Sequence, residues 1–313
     1  MFCSKCGQQN PEEAAYCAFC GAPMMIRMVR RRLAARAKRV AFALAIVVGV
    51  TLLGASVWWL SAHVFRGFRA RTRINPKDGA EMVWIPGGTF LFSGRGKRYG
   101  QQGDAKLRTS VDGYWIYRYE VTNEQYRRFV EETGYRKPRG WSDREFDDPK
   151  QPVSGISWEN ALAYCRWAGV RLPTEEEWEY AARGGATGVG GRRRYIYVWG
   201  NALPPPKNAG NFRDESAHKD GIEGDYFRGY DDRHVYPSRV GTFAANRYGL
   251  YDVAGNVLEW CDNDQSNQTE GYRVARGGCW DSAPHMSRVA YRTFEWSSNR
   301  FRYAGLRPVK EAD

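Results

Sequence analysis

Ala163-Tyr-Cys-Arg-Trp-Ala-Gly-Val-Arg-Leu-Pro-Thr-Glu-Glu-Glu-Trp-Glu-Tyr-Ala-Ala-Arg-Gly-Gly185 reads as the end of one helix, a short break and the whole of a second. Ser157 caps the first helix, Gly169 stops it, and Trp158, Ala161, Leu162 and Cys165 face inward. In the second, Thr174 and Glu177 form a capping box, and the acidic first turn complements the helix dipole. Trp178, Ala181 and Ala182 face inward, and Gly184 closes it. Upstream, Thr122 and Gln125 form another box ahead of Tyr126, Phe129 and Val130, which share a face. Strand-like runs are short: Met82–Ile85, Phe90–Phe92, Tyr114–Tyr117 and Arg273–Arg276. Long Gly-, Pro- and Asp-rich stretches at 134–152 and 184–245 separate them, so more than half of the chain beyond residue 78 reads as ordered coil.

The motifs around this stretch occur in a fixed order. Met82-Val-Trp-Ile-Pro-Gly-Gly-Thr-Phe90 and Tyr119-Glu-Val-Thr-Asn-Glu-Gln-Tyr126 are followed by Gln151-Pro-Val-Ser-Gly-Ile-Ser-Trp158. Tyr248-Gly-Leu-Tyr-Asp-Val-Ala-Gly-Asn-Val-Leu-Glu-Trp260, Arg276-Gly-Gly-Cys-Trp280 and Gly305-Leu-Arg-Pro-Val309 come later. Across roughly residues 78–309 the chain resembles the formylglycine-generating enzyme, or sulfatase-modifying factor, family. The resemblance implies an α+β, C-type-lectin-like domain rich in irregular coil.

Fold does not give function, and the site positions depart from the family. Active members, which oxidise a cysteine within Cys-x-Pro-x-Arg, bind copper through two cysteines downstream of the Gly-Gly motif. Those positions are Ser282 and Ser287 here, with Cys279 at the family's serine position. A hydroxyl is not a soft ligand for Cu(I), so no copper is expected. The iron-dependent relatives use clustered histidines, whereas His63, His218, His234 and His285 are scattered singly. No G-x-S-x-G, P-loop or H-E-x-x-H motif occurs. The reading is a binding or accessory module, a pseudoenzyme. The alternative is an oxidoreductase of the sulfatase-modifying-factor type, with a non-standard site around Cys279.

Residues 279–304 alternate Arg, Tyr, Trp, Phe, Ser and Asn with few aliphatics, which suits a contact surface for a protein, peptide or glycan. Trp280, His285, Arg288, Tyr291, Trp296 and Arg300 are the candidate ligand contacts. The competing reading places Trp280, Tyr291, Phe294 and Trp296 in the core or the final sheet. The segment also resembles the variable region of retroelement-diversified lectin-fold proteins. The family resemblance further implies two calcium sites. One would use Asp252, Gly255, Val257 and Glu259, the other Asn211, Phe212, Asp232 and His234, with backbone carbonyls completing each set. Asp252 and Glu259 in a hydrogen-bonded turn without metal is the alternative. If the segments holding Cys261 and Cys279 pair antiparallel, as the resemblance implies, a disulfide between them is open; Cys165 reads as a buried apolar thiol.

The N-terminal quarter differs in chemistry. Cys3, Cys6, Cys17 and Cys20 form C-x2-C-x10-C-x2-C, with Gly7 and Gly21 after each knuckle. That spacing supplies four soft ligands for Zn2+, and residues 1–23 resemble the short zinc ribbon of many bacterial membrane proteins. Residues 24–39 are a basic juxtamembrane segment, and Val40–Ala62 is 23 residues without a charge, read as a transmembrane helix ending in Trp58 and Trp59. Ala41, Ala45 and Gly49 leave dimerisation through it open. Residues 63–77 form a linker, 78–309 the large domain and 310–313 a tail. Seven cations (Arg27, Arg30, Arg31, Arg32, Arg36, Lys38, Arg39) precede the span and five (Arg66, Arg69, Arg71, Arg73, Lys77) follow it. This predicts a single-pass membrane protein, its N-terminus cytoplasmic and its C-terminal domain periplasmic or extracellular.

Composition sets outer bounds. In 313 residues, 42% hydrophobic and 14% aromatic content with 12 Trp excludes a disordered chain, and 34 Gly excludes collagen. The net charge of +12 is concentrated in residues 1–75, which hold twelve Lys/Arg against two Asp/Glu. The remainder is nearly balanced, so no nucleic-acid partner is expected.

Overall fold

Thr122, Ser157 and Thr174 each accept the N–H three residues on, and the side chain of that third residue returns to the cap backbone. These boxes start α1 (Asn123–Thr133), α2 (Trp158–Ala168) and α3 (Glu175–Ala182) where the sequence places them. Gly134 and Gly169 end α1 and α2 in the left-handed region. Arg183 caps α3, and Gly184 and Gly185 turn the chain away. The structure, a computed structural model, describes residues 1–12, 14–24, 71–93, 107–186, 195–262 and 271–312.

Two compact units divide the chain, Met1–Arg69 and Ala70–Asp313. In the second, β1 (Thr72–Ile74), β2 (Glu81–Ile85), β5 (Tyr114–Tyr117) and β10 (Val309–Glu311) form an antiparallel sheet that joins the two ends of the domain. β3 (Gly88–Phe92) and β4 (Leu107–Val111) form a hairpin. A second four-stranded sheet has the order β8 (Thr293–Trp296), β7 (Tyr272–Arg276), β6 (Leu258–Trp260), β9 (Ala304–Gly305). A one-turn helix, α4 (Glu215–Lys219), starts on Asp214. One core cluster lies under α1 and α2 (Tyr126, Phe129, Tyr164, Trp260). Another lies under α3 (Val83, Ile116, Trp178, Leu250).

The localisation expected from the sequence is corrected here. Among the described residues no helix is long and apolar enough to cross a membrane, and the 40–62 span lies outside them, as do juxtamembrane residues 25–39. The flanking-charge count also fails on its outer side, because three of its five cations belong to the domain. Arg73 lies 4.4 Å over the ring of Trp115, and Arg71 lies 5.6 Å over that of Trp84. Lys77 pairs with Glu132 at 2.5 Å and lies 4.8 Å from the ring of Trp167. Cations held by fold contacts carry no topological signal.

Candidate functional site

β7 ends at Arg276, and Gly277 and Gly278 (φ 101° and 76°) turn the chain into the segment where the family resemblance placed a metal. A Cβ on Gly278 would lie 3.3 Å from the Ser287 Cα and 3.4 Å from the Ser282 Oγ, so both serines flank one point of backbone. Both are buried. Ser282 Oγ accepts the Cys279 N–H at 2.9 Å and lies 3.3 Å from its Sγ; the Ser287 hydroxyl donates to the Ala283 carbonyl at 3.3 Å. The two positions are juxtaposed, but they offer hydroxyls engaged within the protein. They do not fit a Cu(I) site. Burial pushes the Cys279 thiol up to about 12, so it is a thiol rather than a nucleophilic thiolate at neutral pH.

Cys165, Cys261 and Cys279 are all free and buried. The β6–β7 register pairs Glu259 with Arg276 and Trp260 with Ala275, and Cys261 N–H bonds Val274. Trp280 N–H bonds the Asn256 carbonyl, so Cys279 follows the Arg276 end of the ladder while Cys261 sits at the Val274 end. In the structure no disulfide joins Cys261 and Cys279.

Beneath the turn are paired buried charges that sequence reading missed. Arg276, fully enclosed, donates to Glu175 at 3.0 Å, to Glu179 at 2.6 Å and to the Val289 carbonyl at 2.9 Å, and Arg292 also pairs with Glu175. Arg307, also enclosed, holds Glu259 through Nε and Nη2 at 2.8–3.1 Å and donates to the carbonyls of Tyr117, Arg118 and Tyr251. The second Glu259 oxygen also accepts the Trp178 indole N–H at 2.6 Å. The only trace of these pairs in the sequence was the position of Glu175, Glu179, Glu259, Arg276 and Arg307 inside the quoted motifs.

This pairing bears on the first calcium set. Glu259 is committed to Arg307 and Trp178, so it is not open to a cation. Asp252 (φ 55°) accepts the N–H groups of Gly241 and Phe243, as the hydrogen-bonded-turn alternative expected. Gly255 bridges to Asn211, and Asn256 N–H bonds the Asn211 carbonyl at 2.9 Å, so the two sets meet along one backbone contact. In the second set, Asp232 accepts the N–H groups of Phe212 (2.9 Å) and His234 (2.7 Å). Burial and the neighbouring Asp214 push the Asp232 carboxyl up to about 8. The buried Asn211 Oδ1 has no hydrogen-bond partner.

The candidate ligand residues divide among separate contacts. Trp280 is buried against Phe146 (6.2 Å) and Tyr236 (5.3 Å), with its indole N–H unpartnered. His285 meets Tyr291 edge-on at 6.0 Å; Tyr291 is buried and Arg288 half-buried. Trp296, 48% exposed, packs on Tyr272 at 4.3 Å on edge strand β8. Phe294 lies on the same strand, so the core-or-sheet reading holds for all four aromatics. Arg300 is half-buried and donates to the carbonyls of Lys137 and Gly155. Among the described histidines, His218 stacks on Tyr226 and His234 meets Phe243, with no shared centre.

In the N-terminal unit the four cysteine sulfurs lie within 4.8 Å of one another, with Cys3–Cys20 at 3.6 Å and Cys6–Cys17 at 3.5 Å. A zinc tetrahedron with bonds of about 2.3 Å has edges of about 3.8 Å, so the donor set fits Zn2+. Each knuckle repeats one geometry. Gly7 and Gly21, both at φ 73°, return their N–H groups to the carbonyls of Cys3 and Cys17, and bridges Phe2–Gln9 and Tyr16–Pro23 close the loops. The Lys5 N–H on Cys3 lowers that thiol, and buried Asn10 donates to Cys17.

Fold and site together define an α+β, C-type-lectin-like domain in the same chain as a four-cysteine zinc ribbon. Residues 69–312 match the sulfatase-modifying factor enzyme 1-like domain, and the chain belongs to that family; residues 2–24 match the zinc-ribbon domain. The chain is 31% identical to a formylglycine-generating enzyme of Thermomonospora curvata over 75% of this chain and 95% of that protein. It is 34% identical to an inactive C-alpha-formylglycine-generating enzyme 2 of Bos taurus, over 67% and 81%. Among solved structures, PvdO from Pseudomonas aeruginosa superposes with a TM-score of 0.58 at 22% identity, over 78% of this chain and 98% of that one.

Proposed function

We propose that the C-terminal domain is a catalytically silent member of its family that serves as a binding or accessory module. The observation that carries this reading is the pair Ser282 and Ser287, buried and hydrogen-bonded inside the protein where the family's copper thiolates would be. The relatives named as inactive fit the same role. An oxidoreductase built on Cys279 is disfavoured by the burial that keeps its thiol protonated. The contact surface proposed for a protein, peptide or glycan includes the 134–148 loop and the exposed Tyr236, which rests on buried Phe146 and Trp280.

Calcium belongs to this proposal at Asn211, Asp232 and the carbonyls of Phe212 and His234. The unpartnered Asn211 oxygen and the crowded carboxyls of Asp214 and Asp232 are chemistry that a hard cation relieves. Its effect would be to tie the irregular 211–234 coil together.

The test is copper(I) titration of the chain with its four ribbon cysteines changed to serine, which removes the competing thiolates. The reading expects no stoichiometric thiolate-bound copper, and one copper per chain once Ser282→Cys and Ser287→Cys are added. One tightly held copper in the protein without those two changes would overturn it.

A further inference from the structure

The loop that follows α1 reads Gly134-Tyr-Arg-Lys-Pro-Arg-Gly140, and its basic residues meet a second basic run, Arg300-Phe-Arg302. Gly155 stitches the two together. Its carbonyl accepts the Arg139 N–H at 2.9 Å and the Arg300 Nε at 3.3 Å, and its own N–H bonds the Phe301 carbonyl at 2.9 Å. A Cβ on Gly155 would lie 2.2 Å from the Arg139 carbonyl oxygen, so only glycine allows this approach. Arg300 also donates to the Lys137 carbonyl. Pro138 is buried and Tyr135 packs on Phe129 at 5.1 Å, which anchors the loop from below.

The result is a concentration of like charge on an ordered frame. The hydrogen bonds of Arg300 go to neutral carbonyls, and burial together with Arg136 and Arg139 pulls its guanidinium below the usual range. Asp143, just beyond the loop, pairs with Arg302. Among the described residues Arg136 and Arg139 make no ion pair. A second observation points the same way. Tyr126 is fully buried, and its hydroxyl has no hydrogen-bond partner. Beyond burial, the groups whose fields reach it include Tyr135, Arg300, Arg136 and Cys165. A buried hydroxyl without a partner and three uncompensated guanidinium groups each favour an anion that offers several acceptor oxygens.

We propose that Arg136, Arg139 and Arg300, with Tyr126 behind them, form a binding site for a tetrahedral oxyanion, a phosphate or sulfate group. Guanidinium forks match such oxygens in pairs, and three cations suit a dianion better than a single carboxylate. The site names the ligand chemistry of the binding surface proposed above and rests on that reading for its use, but anion binding is measured independently of copper or oxidation.

The experiment titrates inorganic phosphate, sulfate and O-phosphoserine into the zinc-loaded full chain at constant ionic strength set with chloride. Binding is followed by calorimetry and melting temperature. Saturable binding and a raised melting temperature beyond the chloride baseline are expected. Response to the inorganic ions alone assigns a free ion, and response to phosphoserine as well assigns an ester. Arg136→Gln with Arg139→Gln should weaken binding at least tenfold and leave the melting temperature in chloride unchanged. Arg166→Gln, an exposed arginine on α2, should change nothing. Tyr126→Phe should weaken binding several-fold without lowering stability, because the hydroxyl has no bond to lose. A phosphate response no larger than that of chloride, or one undiminished in the double variant, overturns the site.

Discussion

Arg307→Met tests whether the enclosed ion pair organises the domain. Methionine keeps most of the aliphatic bulk and removes every guanidinium hydrogen bond, those to Glu259 and those to the Tyr117, Arg118 and Tyr251 carbonyls. Glu259 is then a buried carboxylate held by Trp178, with Glu120 and Asp252 nearby. Removing one partner of a buried pair costs about 3–5 kcal/mol. At about 2–4 °C per kcal/mol for a domain of this size, the melting temperature falls by roughly 6–20 °C. Glu259→Gln is milder. Arg307 keeps its three carbonyls and the field of Glu120 and Asp252, so the loss is that of one charged hydrogen-bonded contact, about 1.5–3 kcal/mol. Urea unfolding followed by tryptophan fluorescence measures both. A cost below about 1 kcal/mol for Arg307→Met, or a larger cost for Glu259→Gln, would refute the reasoning.

Three further outcomes follow from the geometry. Chelation should unfold residues 1–24, where Cys3, Cys17 and Met24 are almost the whole core, and leave the melting of the C-terminal unit unchanged; an unaltered ribbon NMR spectrum after chelation would contradict it. Iodoacetamide at pH 8 should leave Cys165, Cys261 and Cys279 unmodified in the folded protein, because all three are buried and burial raises each thiol; mass spectrometry showing rapid alkylation would contradict that. Gly155→Ala should destabilise the domain, because φ is +69° and the new methyl would meet the Arg139 carbonyl at 2.2 Å; calorimetry showing an unchanged melting temperature would argue that the loop shifts freely.

The legible parts of the sequence were those with local physics. Helix caps are written in four residues: both boxes formed where read, and Ser157, read as a cap, forms a third box with Asn160. The strands read were β2, β3, β5 and β7; β1, β6, β9 and β10 have two or three residues each, too few to show a period, and β4 and β8, at five and four residues, were not read either. The zinc site was legible because its four ligands are close in sequence. The buried pairs were not, because Arg307 and Glu259 are 48 residues apart and Arg276 and Glu175 are 101 apart. The calcium assignment shows the same limit. Glu259 reads as a free carboxylate in its motif, and only the fold reveals that Arg307 holds it. The proposed oxyanion site lay partly in view, since Arg300 was a candidate, but Arg139 meets it only through the Gly155 contact, which is 145 residues from Arg300 in the chain.

Whether the domain has given up its family's oxidation is settled by one assay. The purified zinc-loaded chain, supplied with copper, reductant and oxygen, is incubated with a Cys-x-Pro-x-Arg peptide, and the product is analysed by mass spectrometry. With Ser282 and Ser287 as they are, the peptide thiol should remain and aldehyde should not exceed the enzyme-free blank. Formylglycine accumulating above that blank in proportion to protein would contradict the account.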